Sequence, residues 1–197
     1  MILSALLHAL ADLTASEPRP EAGLTATALR AAASTDFPTS VPSDLSSGIL
    51  HTAALAGGHP AVMLIREAHA QLPWQDSPAA ARQPKALRSI KSVVTLLGPG
   101  APIPSDSLRF GLFYQAPGSH YPLHAHNAAE TYAILSGSAL WRAGDRCLTP
   151  GPGDAVHHPP RMPHAMRAGP DGFLAIWRWS GDIGLDSYRM LPDPTAT

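Results

Sequence analysis

The sequence predicts a mainly β fold: one double-stranded β-helix, a jelly-roll barrel, preceded by a helical N-terminal extension. Three observations predict it. The second half of the chain is a run of short segments, several alternating with period two, with turn residues between them. The first half instead carries apolar residues at helical spacing, broken by linkers rich in Pro, Ser and Thr. Between Gly118 and Gly137, two histidines, a carboxylate and a tyrosine are spaced to converge inside such a barrel.

Taken in order, Leu3, Leu6, Leu7, Leu10 and Leu13 mark a first helix with one apolar face. Further helices are expected over Glu21 to Ala33, Leu45 to Leu55 and Ala61 to Leu72, the third capped by Ser43 or Asp44. The linker Phe37-Pro-Thr-Ser-Val-Pro-Ser-Asp44 and the stretch Pro73 to Pro84 are breaks. Strands are expected over Ile90 to Leu97, Leu108 to Gln115, Tyr121 to His126, Glu130 to Leu135, Ser138 to Ala143, Asp154 to His158, His164 to Arg167 and Phe173 to Trp179. In the second of these, Phe110, Leu112 and Tyr114 alternate with Arg109, Gly111 and Phe113. The division that follows is 1–85 as a helical extension packed on the barrel and 86–197 as the barrel with the site.

Bulk properties exclude several classes of function. With 197 residues, 45% of them hydrophobic, the chain supports one domain with a real core. Fourteen basic against 15 acidic residues give a net charge of −1, so no polyanion-binding surface and no nucleic-acid partner are expected. No apolar run is long enough to span a bilayer, and the apolar N-terminus lacks a basic leader region. A single cysteine, Cys147, leaves no internal disulfide framework and suits a reducing compartment. The expected place is the cytoplasm, with no membrane partner, and a homodimer is compatible with the sequence.

The chemistry lies in the Gly118 to Gly137 stretch. His124 and His126 share one face of a strand, and Glu130 and Tyr132 share one face of the next. Two imidazoles and a carboxylate at one point form a binding set for a first-row divalent metal. The order Gly118, five residues, His124-x-His126, three residues, Glu130, six residues, Gly137 matches the first cupin motif throughout. The second cupin motif is matched in part: Gly153, Pro159 and His164 are in place, while Arg161 stands where glycine is usual and Ala168 where asparagine is usual. The expected ligand set is His124, His126, Glu130 and His164, holding one Fe, Mn, Zn, Ni or Co ion, among which the sequence does not choose. His120, His157 and His158 are nearby and are expected at the surface or beside the ligands. Tyr132 follows Glu130 by two and so points into the same cavity, where a cation would favour its phenolate. Trp177 and Trp179 face one way on their strand and Arg178 the other.

The motif ending in Glu130-Thr-Tyr132, the preceding Tyr121-Pro-Leu-His124, the His164 segment and the Trp177-Arg-Trp179 strand together resemble the cupin-type dimethylsulfoniopropionate (DMSP) lyases of marine bacteria. The helical half before a single cupin is similar to the Q-type members of that group. The resemblance implies a metal-dependent carbon–sulfur lyase that cleaves DMSP, a small zwitterion, to dimethyl sulfide and acrylate by base-catalysed β-elimination. It assigns His126, Glu130 and His164 as ligands, with His124 as the other motif histidine. It gives Tyr132 the role of base, Tyr121 that of a substrate-contacting or proton-transferring residue, and Trp179, with Trp177 beside it, that of a pocket wall. Because cupins host many reactions, the alternatives are another metallo-cupin enzyme, such as a dioxygenase or isomerase of a small acid, or a non-catalytic small-ligand binder.

Overall fold

Alternation of apolar residues toward two different cores explains how the strands are laid down. The computed structural model describes residues 1–32, 37 and 43–193. Helices α1 (Ile2–Ala15), α2 (Pro20–Ala31), α3 (Ser46–Ala54) and α4 (Pro60–Ala68) precede three short 3₁₀ turns and then eight strands. The strands are β1 (Lys91–Leu97), β2 (Leu108–Gln115), β3 (His120–Ala125), β4 (Ala128–Ala143), β5 (Arg146–Leu148), β6 (Ala155–His158), β7 (His164–Gly181) and β8 (Arg189–Met190). Most of the linker expected over 37–44, and the last residue of the second expected helix, fall outside the described residues. Leu45, not Ser43 or Asp44, precedes the first turn of α3, and no side chain caps that helix.

Every strand pairing named in the sheet is antiparallel, and the order β1-β2-β7-β3-β8 is closed by β4, which pairs with β5, β6 and β7. Two expected breaks do not occur. Glu130 to Leu135 and Ser138 to Ala143 are one strand, β4, and His164 to Arg167 and Phe173 to Trp179 are one strand, β7. The chain bends at register shifts between Ile134 and Ser136 and between Gly137 and Ala139 instead of turning back. Gly137 makes the bend available: its φ is +73°, and a Cβ there would lie 2.0 Å from the Gly172 carbonyl oxygen. Helix α3 seals the bent region, since Ser136 Oγ donates to the Thr52 carbonyl at 2.6 Å and Thr52 Oγ1 donates to the Asp171 carbonyl at 2.6 Å.

On β2 the two faces serve different cores. Phe110, Leu112 and Tyr114 pack with Leu6, Leu10, Ile49 and Ile65 between sheet and helices. Phe113 packs inside the barrel with Tyr121, Tyr132, Trp141, Phe173 and Trp177. The helices therefore cover the sheet and leave the barrel interior to the site.

One ion pair fastens the end of α1 to the outer face of β7. Arg178, 3% exposed, donates from both Nη atoms to the two Glu17 carboxylate oxygens at 2.7 and 2.8 Å, and from Nη2 to Thr131 Oγ1 at 3.3 Å. Glu17→Ala leaves that buried guanidinium without its anion. We expect a loss of about 2–3 kcal/mol in denaturant unfolding, less than for a fully enclosed pair because Glu17 keeps some contact with water. An unchanged midpoint would show that the pair does not hold the extension in place.

Candidate metal centre

A single rung of the sheet assembles the centre. Arg109 on β2 lies opposite Trp179 on β7, Trp179 opposite Glu130 on β4, and Glu130 opposite His158 on β6. Directly opposed residues share a face, so all four side chains point into the barrel. The next inward rung is Gly111, Trp177, Tyr132 and Val156. From the other side, β7 brings His164 opposite His124 of β3.

The Glu130 carboxylate is the hub. Its Oε2 lies 3.2 Å from His126 Nε2, 3.1 Å from His164 Nε2 and 3.4 Å from His158 Nδ1, and its Oε1 accepts from Trp179 Nε1 at 2.6 Å. Burial works against ionisation, yet the hydrogen bond and charge of His126, with bonds from His158 and His164, hold the carboxyl well below the usual carboxylate range.

The imidazoles define what this hub could hold. His126 Nδ1 is 3.1 Å from the Ala128 carbonyl, His164 Nδ1 is 2.9 Å from the Met162 carbonyl and His124 Nδ1 is 2.8 Å from the Pro122 carbonyl. A carbonyl can only accept, so each Nδ1 carries a proton, and in the neutral ring Nε2 is the atom free to bind a metal. For His126 and His164 that atom faces a Glu130 oxygen, an approach satisfied either by a proton on Nε2 or by a cation between the two. His164 Nε2 is buried without a hydrogen bond, although it is close to Glu130. His126, Glu130 and His164 offer ligand atoms that all lie within 4.8 Å of one another. Neutral imidazoles and an ionised carboxylate fit a divalent transition metal, and the choice among Fe, Zn, Mn, Ni and Co is open.

His124 stands outside that group of three. Its ring lies 4.0 Å, centroid to centroid, from His164 and stacks on Tyr121 at 4.2 Å. The register of β3 against β7 shifts between Tyr121 and His124, and the strand ends at Ala125, so His126 reaches the hub from beyond the regular ladder. His158 also differs from a ligand. Its Nε2 accepts from Trp141 Nε1 at 2.9 Å, which leaves the Nδ1 proton to point at Glu130. His157 contacts Thr131 Oγ1 on the outer face and His120 contacts Asp193.

Tyr132, Tyr121, Trp177 and Trp179 all line a narrow cavity above the hub, of about 20 Å³. Burial, then the Glu130 carboxylate, push the Tyr132 phenol well above its ordinary value. Tyr121 is raised as well, by burial first and by Tyr188 second. Three residues near it carry no motif signal. Tyr188 Oη lies 2.5 Å from Tyr121 Oη, and Gln83 Nε2 donates to both hydroxyls at 2.8 and 2.9 Å. Lys91 Nζ donates to Gln83 Oε1 at 2.8 Å and lies 4.7 Å over the Tyr121 ring. Burial lowers Lys91 to about 8 despite the opposing charge of Asp76.

Arg161, where the second motif usually has glycine, has φ +67°. The left-handed backbone that glycine would adopt freely is thus kept by an arginine at a cost. Its amide donates to the His126 carbonyl at 2.7 Å, so this turn braces a residue of the hub. Cys147 lies exposed on β5.

The buried histidines make the metal-free fold acid-sensitive. Burial first, then His164, lowers His158 from 6.5 to about 4, so it is neutral when folded and charges more readily when unfolded. Its contribution is complete above pH 6.5 and is lost as pH falls from 6.5 toward 4. The difference amounts to roughly 3 kcal/mol, and Glu130, also depressed, works in the same direction at lower pH. Thermal melts of chelator-treated protein should show a midpoint falling steadily across that window, and less steeply in His158→Gln. A flat midpoint from pH 7 to 4 would contradict a neutral buried His158.

The family described as dimethylsulfoniopropionate lyase has a model that matches residues 47–175. The curated dimethylsulfoniopropionate lyase DddQ of Ruegeria pomeroyi is 43% identical over 99 residues, 50% of this chain and 49% of that protein. The match therefore spans about half the length of the curated relative. The crystal structure of DMSP lyase DddQ from Ruegeria pomeroyi superposes with a TM-score of 0.66 at 28% identity, covering 92% of each chain. A chain from the crystal structures of DMSP lyases RdDddP and RnDddQII superposes with a TM-score of 0.74 at 24% identity, over 97% of this chain and 98% of that one, and shares the fold. A match running from α3 into β7, over more than half of the residues, makes this chain a cupin-type, DddQ-like member of the dimethylsulfoniopropionate lyase family.

Proposed function

We propose that the chain is a metal-dependent carbon–sulfur lyase that cleaves DMSP to dimethyl sulfide and acrylate. The observation that carries this reading is the Tyr132 hydroxyl, buried beside a carboxylate–imidazole hub in a cavity walled by Trp177 and Trp179. His126, Glu130 and His164 would hold the metal, with His124 stacked beside them. When bound, a divalent ion supplies positive charge that favours the phenolate of Tyr132 and stabilises the carbanion developing next to the substrate carboxylate.

Tyr132 takes the proton from the carbon next to the carboxylate. The electron pair forms the carbon–carbon double bond, the carbon–sulfur bond breaks, and its pair leaves on sulfur. Dimethyl sulfide departs neutral, so no acid is needed at the leaving group. The proton remaining on Tyr132 passes to solvent. The faces of Trp177 and Trp179 suit a sulfonium. Since that charge vanishes in the reaction, the rings serve binding and orientation more than the chemical step. Trp179 is held for this by its bond to Glu130 Oε1.

The test is purified protein, each of the five metals in turn, and DMSP without oxygen. Dimethyl sulfide in the headspace and acrylate in solution should appear in equal amounts. Oxygen consumption with no sulfide would identify a dioxygenase instead, and binding without product a non-catalytic cupin.

A further inference from the structure

The mechanism leaves a buried lysine without a part. Lys91, the first residue of β1, is 4% exposed, and its Nζ donates to Gln83 Oε1 at 2.8 Å. From the same amide, Gln83 Nε2 donates to Tyr121 Oη at 2.8 Å and to Tyr188 Oη at 2.9 Å. The two hydroxyl oxygens are 2.5 Å apart, and both rings line the cavity above the hub. Tyr121 also stacks on His124, which sets the pair beside the centre.

An ammonium only donates, so Lys91 fixes which way the amide faces: its oxygen toward Nζ, its N–H groups toward the hydroxyls. Each hydroxyl oxygen therefore receives a proton from Gln83, and neither finds an acceptor there. The pair has two protons of its own. One lies in the bond between the two oxygens. For the other, the neighbour among the described residues is the Met190 sulfur, a weak acceptor 3.8 Å from Tyr188 Oη. One phenolic proton is left for whatever occupies the cavity. We propose that Lys91 and Gln83 are positioning residues that hold the Tyr121–Tyr188 pair as a hydrogen-bond donor toward the substrate. This rests on the lyase reading of the cavity. DMSP has acceptor atoms only in its carboxylate, so the proton meets a carboxylate oxygen. As Tyr132 takes the neighbouring proton, negative charge builds there and the hydrogen bond strengthens with it. The donor thus acts on the rate more than on binding.

Gln83→Glu separates this role from a structural one. The change is nearly isosteric and adds an anion beside Lys91, so the variant should melt no lower than the wild type. Yet a carboxylate only accepts, and it draws both phenolic protons to itself. We expect kcat for DMSP to fall by about tenfold to a hundredfold, with a smaller change in KM. Lys91→Met frees the amide to turn and should lose a similar factor. Lys91→Arg, again a pure donor, should recover most of it. Propionate and propionamide, titrated by calorimetry into metal-loaded protein, read the donor without turnover. Both should bind severalfold more weakly to Gln83→Glu, because a carbonyl oxygen accepts the proton whether or not it carries charge. A loss for propionate alone reflects only the added charge and overturns the inference. So does a wild-type kcat in Gln83→Glu, or a loss of rate that follows melting temperature across the three variants. If Gln83→Glu does not fold, the contrast between Lys91→Met and Lys91→Arg decides in its place. If the binding pattern holds but the wild type releases no dimethyl sulfide, the lyase reading fails and the donor stands. If all three variants release dimethyl sulfide at the wild-type rate, the donor fails and the lyase reading stands.

Discussion

Glu130→Gln is expected to strip the centre of metal while the barrel stays folded. The substitution is nearly isosteric, and the amide oxygen can still accept from Trp179 Nε1 in place of the carboxylate oxygen 2.6 Å away. What disappears is the negative charge on which His126, His158 and His164 converge. Two imidazole lone pairs alone make a weak site for a divalent ion, and we expect affinity to fall by more than about a hundredfold. Turnover should fall with it. Elemental analysis after dialysis against weak chelator, beside a thermal melt, separates loss of metal from loss of fold. His126→Ala should give the same result, because its Nε2 is one of the two lone pairs at the hub. Full occupancy in both variants would refute the ligand assignment and leave a buried proton-sharing cluster in its place.

The barrel and its helical cover could be read from the chain because both rest on periodicity. Residues such as Phe110, Leu112 and Tyr114 had to face a different core from Phe113, and they do. Gly137, in the first motif, marks a bend rather than a strand end, and no local signal distinguishes the two; the difference lies in whether Gly172 of a distant segment packs against it. The centre was legible where spacing fixes a face. Glu130 and Tyr132 follow from simple alternation on a regular strand. His124 and His126 do not, because Pro122 and a register shift disturb β3 just before them, and alternation then no longer says which ring reaches the hub. Arg109 had a signal: it alternates with Gly111 and Phe113, away from the helix-facing side. Its meaning depended on the strand placed opposite. Gln83, Lys91 and Tyr188 had none. Gln83 follows a 3₁₀ turn and Tyr188 another, and the Arg82–Asp186 ion pair that joins those two turns links residues far apart in sequence.

Tyr132→Phe should lower kcat by about a thousandfold, within the range for losing a positioned base, while metal content and melting temperature stay near those of the wild type. The ring is held by packing, edge-on to Phe113 at 5.3 Å and to Trp141 at 5.0 Å, and phenylalanine keeps both contacts. Only the hydroxyl goes, and with it the one phenol on the strand face that carries Glu130. Its role also fixes the sign of the pH dependence. A phenol acts as a base only once deprotonated, so the reactive form grows as pH rises, and wild-type turnover should climb on the alkaline side. The Phe variant should lose that limb along with the rate. Tyr121→Phe is the counter-experiment. Tyr121 stacks on His124 and shares its hydroxyl contacts with Tyr188 and Gln83, so Tyr188 and Gln83 can still bond to each other without it. A small loss in Tyr121→Phe beside a large one in Tyr132→Phe assigns the base to β4. The reverse order would move proton abstraction to the Tyr121–Tyr188 pair and leave Tyr132 as a wall of the cavity.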